Sequence, residues 1–150
     1  MQPISSAEQE ILRVVWASQP VKSSDIIAVL AEKCHWSDST VKTLIGRLVE
    51  KGVLTAKREG RVYLYQALLD QDEWQEMMVR ETLSKICQRK HSSILLRLLD
   101  DMPMTKQDIQ SFQELLLKKE NSALEEVPCN CLPGQCHCHK KGVKDEKGTI

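Results

Sequence analysis

The strongest constraint on the fold is a change of hydrophobic period at Gly52. Residues 38–51 read DSTVKTLIGRLVEK, and their apolar side chains recur at the spacing of a one-sided helix: Val41, Leu44, Ile45, Leu48 and Val49. Gly52 suits the end of that helix. The runs at 53–57 and 61–66 are then β-branched and aromatic, with the turn residue Gly60 between them. The sequence therefore predicts a helix that leads directly into a two-stranded β-hairpin.

Two further amphipathic helices precede this segment. Residues 5–17 open with a Ser-x-x-Glu capping pattern, and Pro20 ends the helix. Residues 23–34 start with serines and carry a second apolar stripe. Because a lone hairpin is marginally stable, its apolar face must pack on these helices. The predicted fold class is mainly α with a small β-hairpin, in which residues 1–69 form a winged helix-turn-helix domain.

The polar face of the third helix and the hairpin turn are suited to DNA. Formal net charge is zero, but residues 37–66 carry six Lys or Arg against three Asp or Glu. Small side chains allow a helix to approach the major groove, and Arg can bond guanine or phosphate. Cations on the hairpin would neutralise phosphates. The residues predicted to contact DNA are Ser39, Thr40, Lys42, Thr43, Gly46, Arg47, Lys57, Arg58 and Arg61.

Residues 70–122 predict a helical region with more leucine than a pair of lone helices can bury. The surplus either folds back on the winged helix or pairs with a second subunit. Because helix-turn-helix proteins usually bind two half-sites as dimers, we favour dimerisation. The predicted dimer contacts are Leu95, Leu98, Leu99, Ile109, Phe112, Leu115 and Leu116.

Residues 123–150 predict a flexible, cysteine-rich tail. Four of the chain's six cysteines follow the pattern Cys-x-Cys-x4-Cys-x-Cys, and Pro133-Gly134 would let the chain turn back between the pairs. Thiolates so arranged can hold zinc tetrahedrally or bind the soft ion Cu(I) in a bridged cluster. A structural zinc ribbon, a disulfide framework and a redox pair fit the spacing less well. The predicted metal ligands are Cys129, Cys131, Cys136 and Cys138.

The other cysteines and the nearby histidines have simpler interpretations. Cys34 and Cys87 each stand alone in a helical pattern, which predicts ordinary small-apolar packing. His137 and His139 are possible extra ligands, although we expect sulfur ligands alone. The chain shows neither a signal peptide nor an apolar run of membrane-spanning length. These features predict a cytoplasmic protein with reduced thiols and no membrane partner.

Residues 36–67 resemble the BlaI/MecI family of winged-helix repressors. The matching runs are STVKTL at 39–44, RLVEKG at 47–52 and RVYLY at 61–65, with EILRVVW at 10–16 similar to the family's first helix. Gly46 stands where family members commonly carry Asn. The resemblance covers about 120 residues. It implies a homodimer that binds a palindromic double-stranded DNA operator and represses transcription.

The tail resembles that of the copper-responsive repressors within this family. This resemblance implies that the zinc form (Zn2+) holds the operator next to genes for copper-transporting ATPases. It also implies that Cu(I), the Cu+ ion delivered by a copper chaperone, displaces zinc and releases the DNA.

Two other functions remain open at this stage. The chain could be a copper buffer or chaperone whose helices merely carry the tail, or a family repressor that answers another signal. An enzyme is not expected, because the sequence offers no paired carboxylates, Ser/His arrangement or phosphate-binding loop.

Overall fold

The computed structural model describes residues 3–139, apart from the side chain of His139. Residues 140–150, the end of the predicted tail, lie outside this range. The chain divides into two compact units between Glu76 and Met77. None of the helices in the described range combines the length and the apolar composition of a membrane span.

The first unit contains the three predicted helices, whose bounds agree with the sequence patterns within one residue. They are α1 (Ser6–Ser18), α2 (Ser23–Cys34) and α3 (Asp38–Glu50). The side chain of Ser5 accepts a hydrogen bond from the Glu8 N–H, and that of Ser37 accepts one from the Thr40 N–H. These serine caps satisfy N–H groups that have no partner inside the helix, so they fix where α1 and α3 begin.

The hairpin is part of a three-stranded antiparallel sheet. The strands are β1 (Val21–Lys22), β2 (Leu54–Glu59) and β3 (Val62–Ala67), in the order β1-β3-β2. Glu59 pairs with Val62 around a two-residue turn, and its first residue, Gly60, has a φ of 64° that glycine adopts without strain. The predicted two-stranded hairpin is confirmed as β2 and β3. The additional strand β1 was not predicted, because two residues between a proline and a helix are too few to show strand alternation.

The core of the first unit lies between the helices and the sheet. The apolar stripe of α3 supplies four of its buried side chains, Val41, Leu44, Ile45 and Leu48. Val49 was expected in the same stripe but is 36% exposed, because it lies at the edge of the helix's buried face. Trp16 packs against Trp74 with ring centroids 5.8 Å apart, and its indole N–H donates to the Leu69 carbonyl. The prediction of a mainly α winged helix is confirmed.

A buried ion pair joins α1 to the end of α3. Glu8 is only 3% exposed, and Lys51 Nζ donates to both of its carboxylate oxygens at 2.8 and 2.6 Å. Burial raises the pKa of Glu8, but hydrogen bonds from Lys51 and Ser5 lower it further, so the net pKa lies below the ordinary value. The carboxylate therefore stabilises the fold above its unfolded pKa, and this contribution is lost as the pH falls through the folded pKa.

We expect Glu8→Gln to lower the free energy of unfolding by about 2 kcal/mol at pH 7, because Lys51 loses its charged partner. The difference from wild type should begin to shrink as the pH falls below about 4.5, where the Glu8 carboxylate of the unfolded chain becomes protonated. It should vanish only below the lowered pKa of Glu8 in the folded protein. Urea unfolding at pH 7 and pH 4 measures both effects. Glu10→Gln is the matched control, because its partner Lys33 is half exposed and the pair should contribute less than about 1 kcal/mol. Equal losses in the two variants would contradict this assignment.

The second unit is helical up to residue 120. Its helices are α4 (Gln71–Ser84), which begins in the first unit, α5 (His91–Asp101) and α6 (Lys106–Glu120). Short 3-10 helices cover Gln88–Lys90 and His137–His139. The helical pattern expected around Cys87 is interrupted, because α4 ends at Ser84 and Cys87 lies just before the 3-10 helix Gln88–Lys90. Among the described residues of this unit, Cys87 alone is buried.

Candidate nucleic-acid interface and candidate metal centre

One face of α3 is covered by the core and the other faces solvent. The six residues predicted to contact DNA from this helix, Ser39, Thr40, Lys42, Thr43, Gly46 and Arg47, are all exposed. Opposite them lie the buried stripe residues. The helix is therefore held rigidly by one face while its polar face stays accessible.

Hydroxyl groups cluster at the start of α3. Ser37 Oγ lies 3.1 Å from Ser39 Oγ and 3.0 Å from Thr40 Oγ1. Thr43 Oγ1 donates to the Ser39 carbonyl at 2.8 Å, so its lone pairs remain available as acceptors. The first turn of this helix thus presents hydroxyls and backbone N–H groups, which suit a phosphate.

Gly46 leaves a gap in the exposed surface of α3. A Cβ at this position would meet no atom within 4 Å, so packing does not require glycine here. Glycine in a helix interior costs about 1 kcal/mol relative to alanine. The gap opens onto a groove of about 390 Å³ between α3 and the sheet, lined also by Lys42, Ala56 and Tyr63. A ligand can therefore approach the helix backbone closely at this point.

The hairpin carries its cations near its tip. Lys57 and Arg58 lie on β2, Arg61 lies in the turn, and all three are exposed. Arg58 Nε donates to the Gly60 carbonyl at 3.1 Å, which holds that side chain against the turn. Tyr63, which the sequence interpretation did not include, pairs with Arg58 across the strands and is 48% exposed. The run RVYLYQ predicts a strand but does not indicate that the Tyr63 side chain lies on its exposed face.

The leucines of α5 and α6 are largely uncovered in the single chain. The exposed fractions range from 39% for Phe112 to 57% for Leu116, with Leu95, Leu98, Ile109 and Leu115 in between, and Leu99 is half-buried. Leu96 on α5 and Leu117 on α6 are also exposed, by 70% and 65%. Large apolar side chains exposed in this number on two helices suit an interaction surface.

The tail folds back on itself at Pro133-Gly134, as the sequence predicted. Gly134 has a φ of 94°, and the Gln135 N–H donates to the Leu132 carbonyl at 3.0 Å. Cys129 Sγ and Cys136 Sγ consequently lie 3.4 Å apart, although seven positions separate them in sequence. The two Cys-x-Cys pairs therefore meet across this turn.

Cys87 joins this cluster from a distant part of the chain. Its Sγ lies 3.6 Å from Cys129 Sγ and 3.8 Å from Cys138 Sγ. The sulfurs of Cys87, Cys129, Cys131 and Cys136 all lie within 4.8 Å of one another. The sequence interpretation placed Cys87 in ordinary packing, and it is indeed buried, but its neighbours include other thiols. Cys34 packs against the core of the first unit, as expected.

These sulfur positions fit a tetrahedral metal ion. A Zn–S bond of about 2.3 Å implies sulfurs about 3.8 Å apart at the corners of a tetrahedron. The three Sγ distances given above, from 3.4 to 3.8 Å, lie close to that value. The four ligand atoms that lie within 4.8 Å of one another are all cysteine sulfurs, and His137 is exposed. This set suits zinc and Cu(I) better than hard cations.

Neighbouring thiols perturb one another's acidity in the cluster. Burial raises the pKa of Cys136, but hydrogen bonds with the Cys138 backbone and neighbouring thiols outweigh it and lower this pKa to about 6. Burial and hydrogen bonds to Cys87 and Cys136 raise the pKa of Cys131 to about 12. Hydrogen bonding to Cys136, followed by burial, raises the pKa of Cys138 to about 11. A bound cation would favour the thiolate form of Cys131 and Cys138, which their raised pKa values otherwise keep protonated.

The first unit, with its exposed third helix and basic hairpin, defines a winged helix-turn-helix protein. Residues 4–118 match the family model described as Penicillinase repressor. The chain therefore belongs to this family, which consists of DNA-binding transcriptional repressors and not of enzymes.

The chain is also similar to individual proteins. The chain is 40% identical to an uncharacterized 16.5 kDa protein of Latilactobacillus sakei, over 92% of this chain and 94% of that one. It is 27% identical to the penicillinase repressor of Bacillus licheniformis, over 81% of this chain and 95% of that one. A solved structure described as the CopR repressor is 38% identical over 46% of this chain and 100% of its own, with a TM-score of 0.40.

Proposed function

We propose that the protein is a copper-responsive repressor of the CopY type. The zinc-loaded homodimer binds a palindromic operator in the cytoplasm, and exchange of zinc for Cu(I) at the tail cysteines releases the DNA. A copper chaperone supplies the Cu(I), and the derepressed genes encode copper-transporting ATPases. The observation that carries this proposal is a convergent thiol cluster in a member of the penicillinase repressor family.

The first unit supports the proposal that the protein binds DNA. Arg47 on α3 reaches for a base edge or a phosphate, while Ser39 and Thr40 receive a phosphate at the helix start. Gly46 allows the helix backbone to approach the major groove. Lys57, Arg58 and Arg61 on the hairpin contact the adjacent phosphate backbone and supply sequence-independent affinity.

The exposed leucines support the proposal that the protein is a homodimer. Repressors of this family bind operator DNA as dimers, and the uncovered faces of α5 and α6 supply a self-complementary apolar surface. Pairing these faces buries Leu98, Phe112 and Leu115 between subunits. A two-fold symmetric dimer then matches the symmetry of a palindromic operator.

The four tail cysteines are the basis of the proposed metal response. The thiolates of Cys129, Cys131, Cys136 and Cys138 would hold zinc, which accepts four sulfur ligands. The same thiolates would hold Cu(I), a soft ion that prefers thiolates and tolerates fewer ligands than zinc. Because the two arrangements hold the tail differently, the two metals have different affinities for the DNA-bound and free states. A coupling free energy of about 2.7 kcal/mol corresponds to a 100-fold change in operator affinity.

A selection from random DNA duplexes with the zinc-loaded protein tests the proposed DNA binding. We expect a palindromic duplex to be enriched, with half-sites about one helical turn or a multiple of it apart. Failure to enrich any sequence over non-specific binding would contradict the repressor function.

On the selected duplex, Arg47→Ala should weaken binding by about 1–3 kcal/mol and relax specificity at one position of each half-site. Lys57→Ala should weaken binding to all duplexes alike and reduce the salt slope by about 1 for each phosphate that is no longer neutralised. Fluorescence anisotropy at several salt concentrations measures both effects. Lys106→Ala, at the start of α6, is the control and should leave affinity and slope unchanged. Equal effects of all three substitutions would rule out the proposed surface.

A further inference from the structure

The geometry points to Cys87 as a ligand of the metal centre, one that ties the tail to the joint between α4 and α5. This inference rests on the metal-binding part of the proposed function. Cys87 lies 42 positions before Cys129, outside the Cys-x-Cys-x4-Cys-x-Cys motif, yet its sulfur is as close to Cys129 and Cys138 as a shared zinc ion requires. It is 7% exposed and faces the cluster.

Consecutive residues at this joint hold the same segment of the tail. Gln88 follows Cys87 in the chain, and its backbone N–H donates a hydrogen bond to Asn130 Oδ1 at 2.8 Å. Arg89 Nε then donates to the Val127 carbonyl at 2.7 Å, and its guanidinium pairs with Glu126. Polar contacts of the two residues that follow Cys87 therefore hold it in register with Cys129.

The joint itself is fixed from within the helical unit. His91 Nε2 lies 2.7 Å from the Leu83 carbonyl and 2.9 Å from the Ile86 carbonyl. Because carbonyl oxygens only accept, Nε2 carries the hydrogen and is shared between them. His91 thus caps the end of α4 and sets the direction in which Cys87 leaves it.

The described residues therefore provide five sulfurs for a zinc ion that takes four. The sulfurs of Cys87, Cys129, Cys131 and Cys136 all lie within 4.8 Å of one another, so zinc would take these four, with Cys87 in the place that the motif alone would give to Cys138. Because Cu(I) clusters use bridging thiolates, Cys138 would be available as a fifth sulfur for Cu(I).

Ligation by Cys87 would give the tail a direct constraint on the dimer helices. Metal coordination between Cys87 and Cys129 closes a loop that contains both α5 and α6. Closing such a loop reduces the conformational freedom of the segment inside it. A change of metal ligation at Cys87 would therefore change the restraint on the helices that carry the proposed dimer surface.

Zinc-edge X-ray absorption of the full-length protein, loaded with one equivalent of zinc per chain, tests the assignment by counting sulfur ligands. The decisive variant is Cys138→Ser. If Cys87 is a ligand, zinc in this variant keeps four sulfur neighbours, and Cys87→Ser/Cys138→Ser reduces them to three. If the motif alone binds zinc, Cys138→Ser has three sulfurs already, and that result would overturn the inference. Cys34→Ser is the matched control and should keep four.

The same measurement separates this inference from the proposed function. Four sulfurs in wild type with three in Cys138→Ser leaves the copper-responsive repressor intact and removes Cys87 from the site. A wild-type protein that takes up no zinc on sulfur overturns both. Four sulfurs in Cys138→Ser supports Cys87 as a ligand even if the protein proves to answer a signal other than copper.

Discussion

The Cys129→Ser/Cys131→Ser protein is expected to fold and dimerise but to lose its response to Cu(I). The first Cys-x-Cys pair supplies two thiolates to the cluster, and neither zinc nor Cu(I) can form the proposed sulfur sites without them. Wild type should lose about 100-fold in operator affinity when Cu(I) is added, which corresponds to about 2.7 kcal/mol. The double variant should change by less than about twofold, well under 1 kcal/mol.

Anaerobic fluorescence anisotropy of the selected operator duplex, before and after addition of Cu(I), measures this response. Cys34→Ser is the matched control, because Cys34 packs against the core of the first unit, and it should respond like wild type. Helical circular dichroism and light scattering establish that the double variant is folded and dimeric. An unchanged copper response in the double variant would refute the assignment of the sensor site.

Leu115→Asp should convert the protein to a monomer and abolish tight operator binding. Leu115 is 55% exposed in the single chain, so the substitution leaves the fold of one subunit largely undisturbed. In the proposed dimer it places an unpaired carboxylate of each subunit in an apolar interface, which costs about 3–5 kcal/mol. Because both half-sites must then be bound separately, operator affinity should fall by at least about 100-fold.

Sedimentation equilibrium and operator binding measured on the same preparation test this prediction. Leu68→Asp is the matched control, since Leu68 is 59% exposed in the first unit and belongs to neither α5 nor α6. The control should remain dimeric and bind the operator normally. A dimeric Leu115→Asp protein with undiminished affinity would place the dimer interface elsewhere.

Local patterns predicted the DNA-binding unit well because its signals are local. The apolar stripe of α3 and the serine caps act within a few residues, and the structure confirms the helices they predict. Strand β1 was missed because its partner Tyr65 lies far along the chain and its two residues carry no period. The exposure of Val49 was missed because a helical stripe does not specify where its edge lies.

The metal centre was predictable only in the part that is contiguous in sequence. The spacing of the tail cysteines and the Pro-Gly step predicted that their sulfurs would meet. Cys87 could not be found in this way, because its approach depends on the end of α4 at Ser84, where neither proline nor glycine marks a break. Its neighbours Gln88 and Arg89 bind the tail through a backbone N–H and a guanidinium group, and such contacts leave no sequence motif.

In the proposed switch, input and output lie in different parts of the chain. The thiol cluster is the proposed site for soft metal ions, the helices α5 and α6 carry the proposed dimer surface, and α3 with the hairpin presents the proposed DNA surface. Metal identity affects DNA binding only through its differential affinity for the two states of the dimer. The central claim is thus a linkage between thiolate-bound metal and operator affinity.

An operator mobility shift with the apo, zinc-loaded and Cu(I)-loaded wild-type protein, at two salt concentrations, tests that linkage most directly. We predict that the zinc form binds the selected palindrome most tightly and that its affinity falls steeply with salt. The Cu(I) form should bind about 100-fold more weakly at either salt concentration. Equal operator affinity of the zinc and Cu(I) forms would contradict the account.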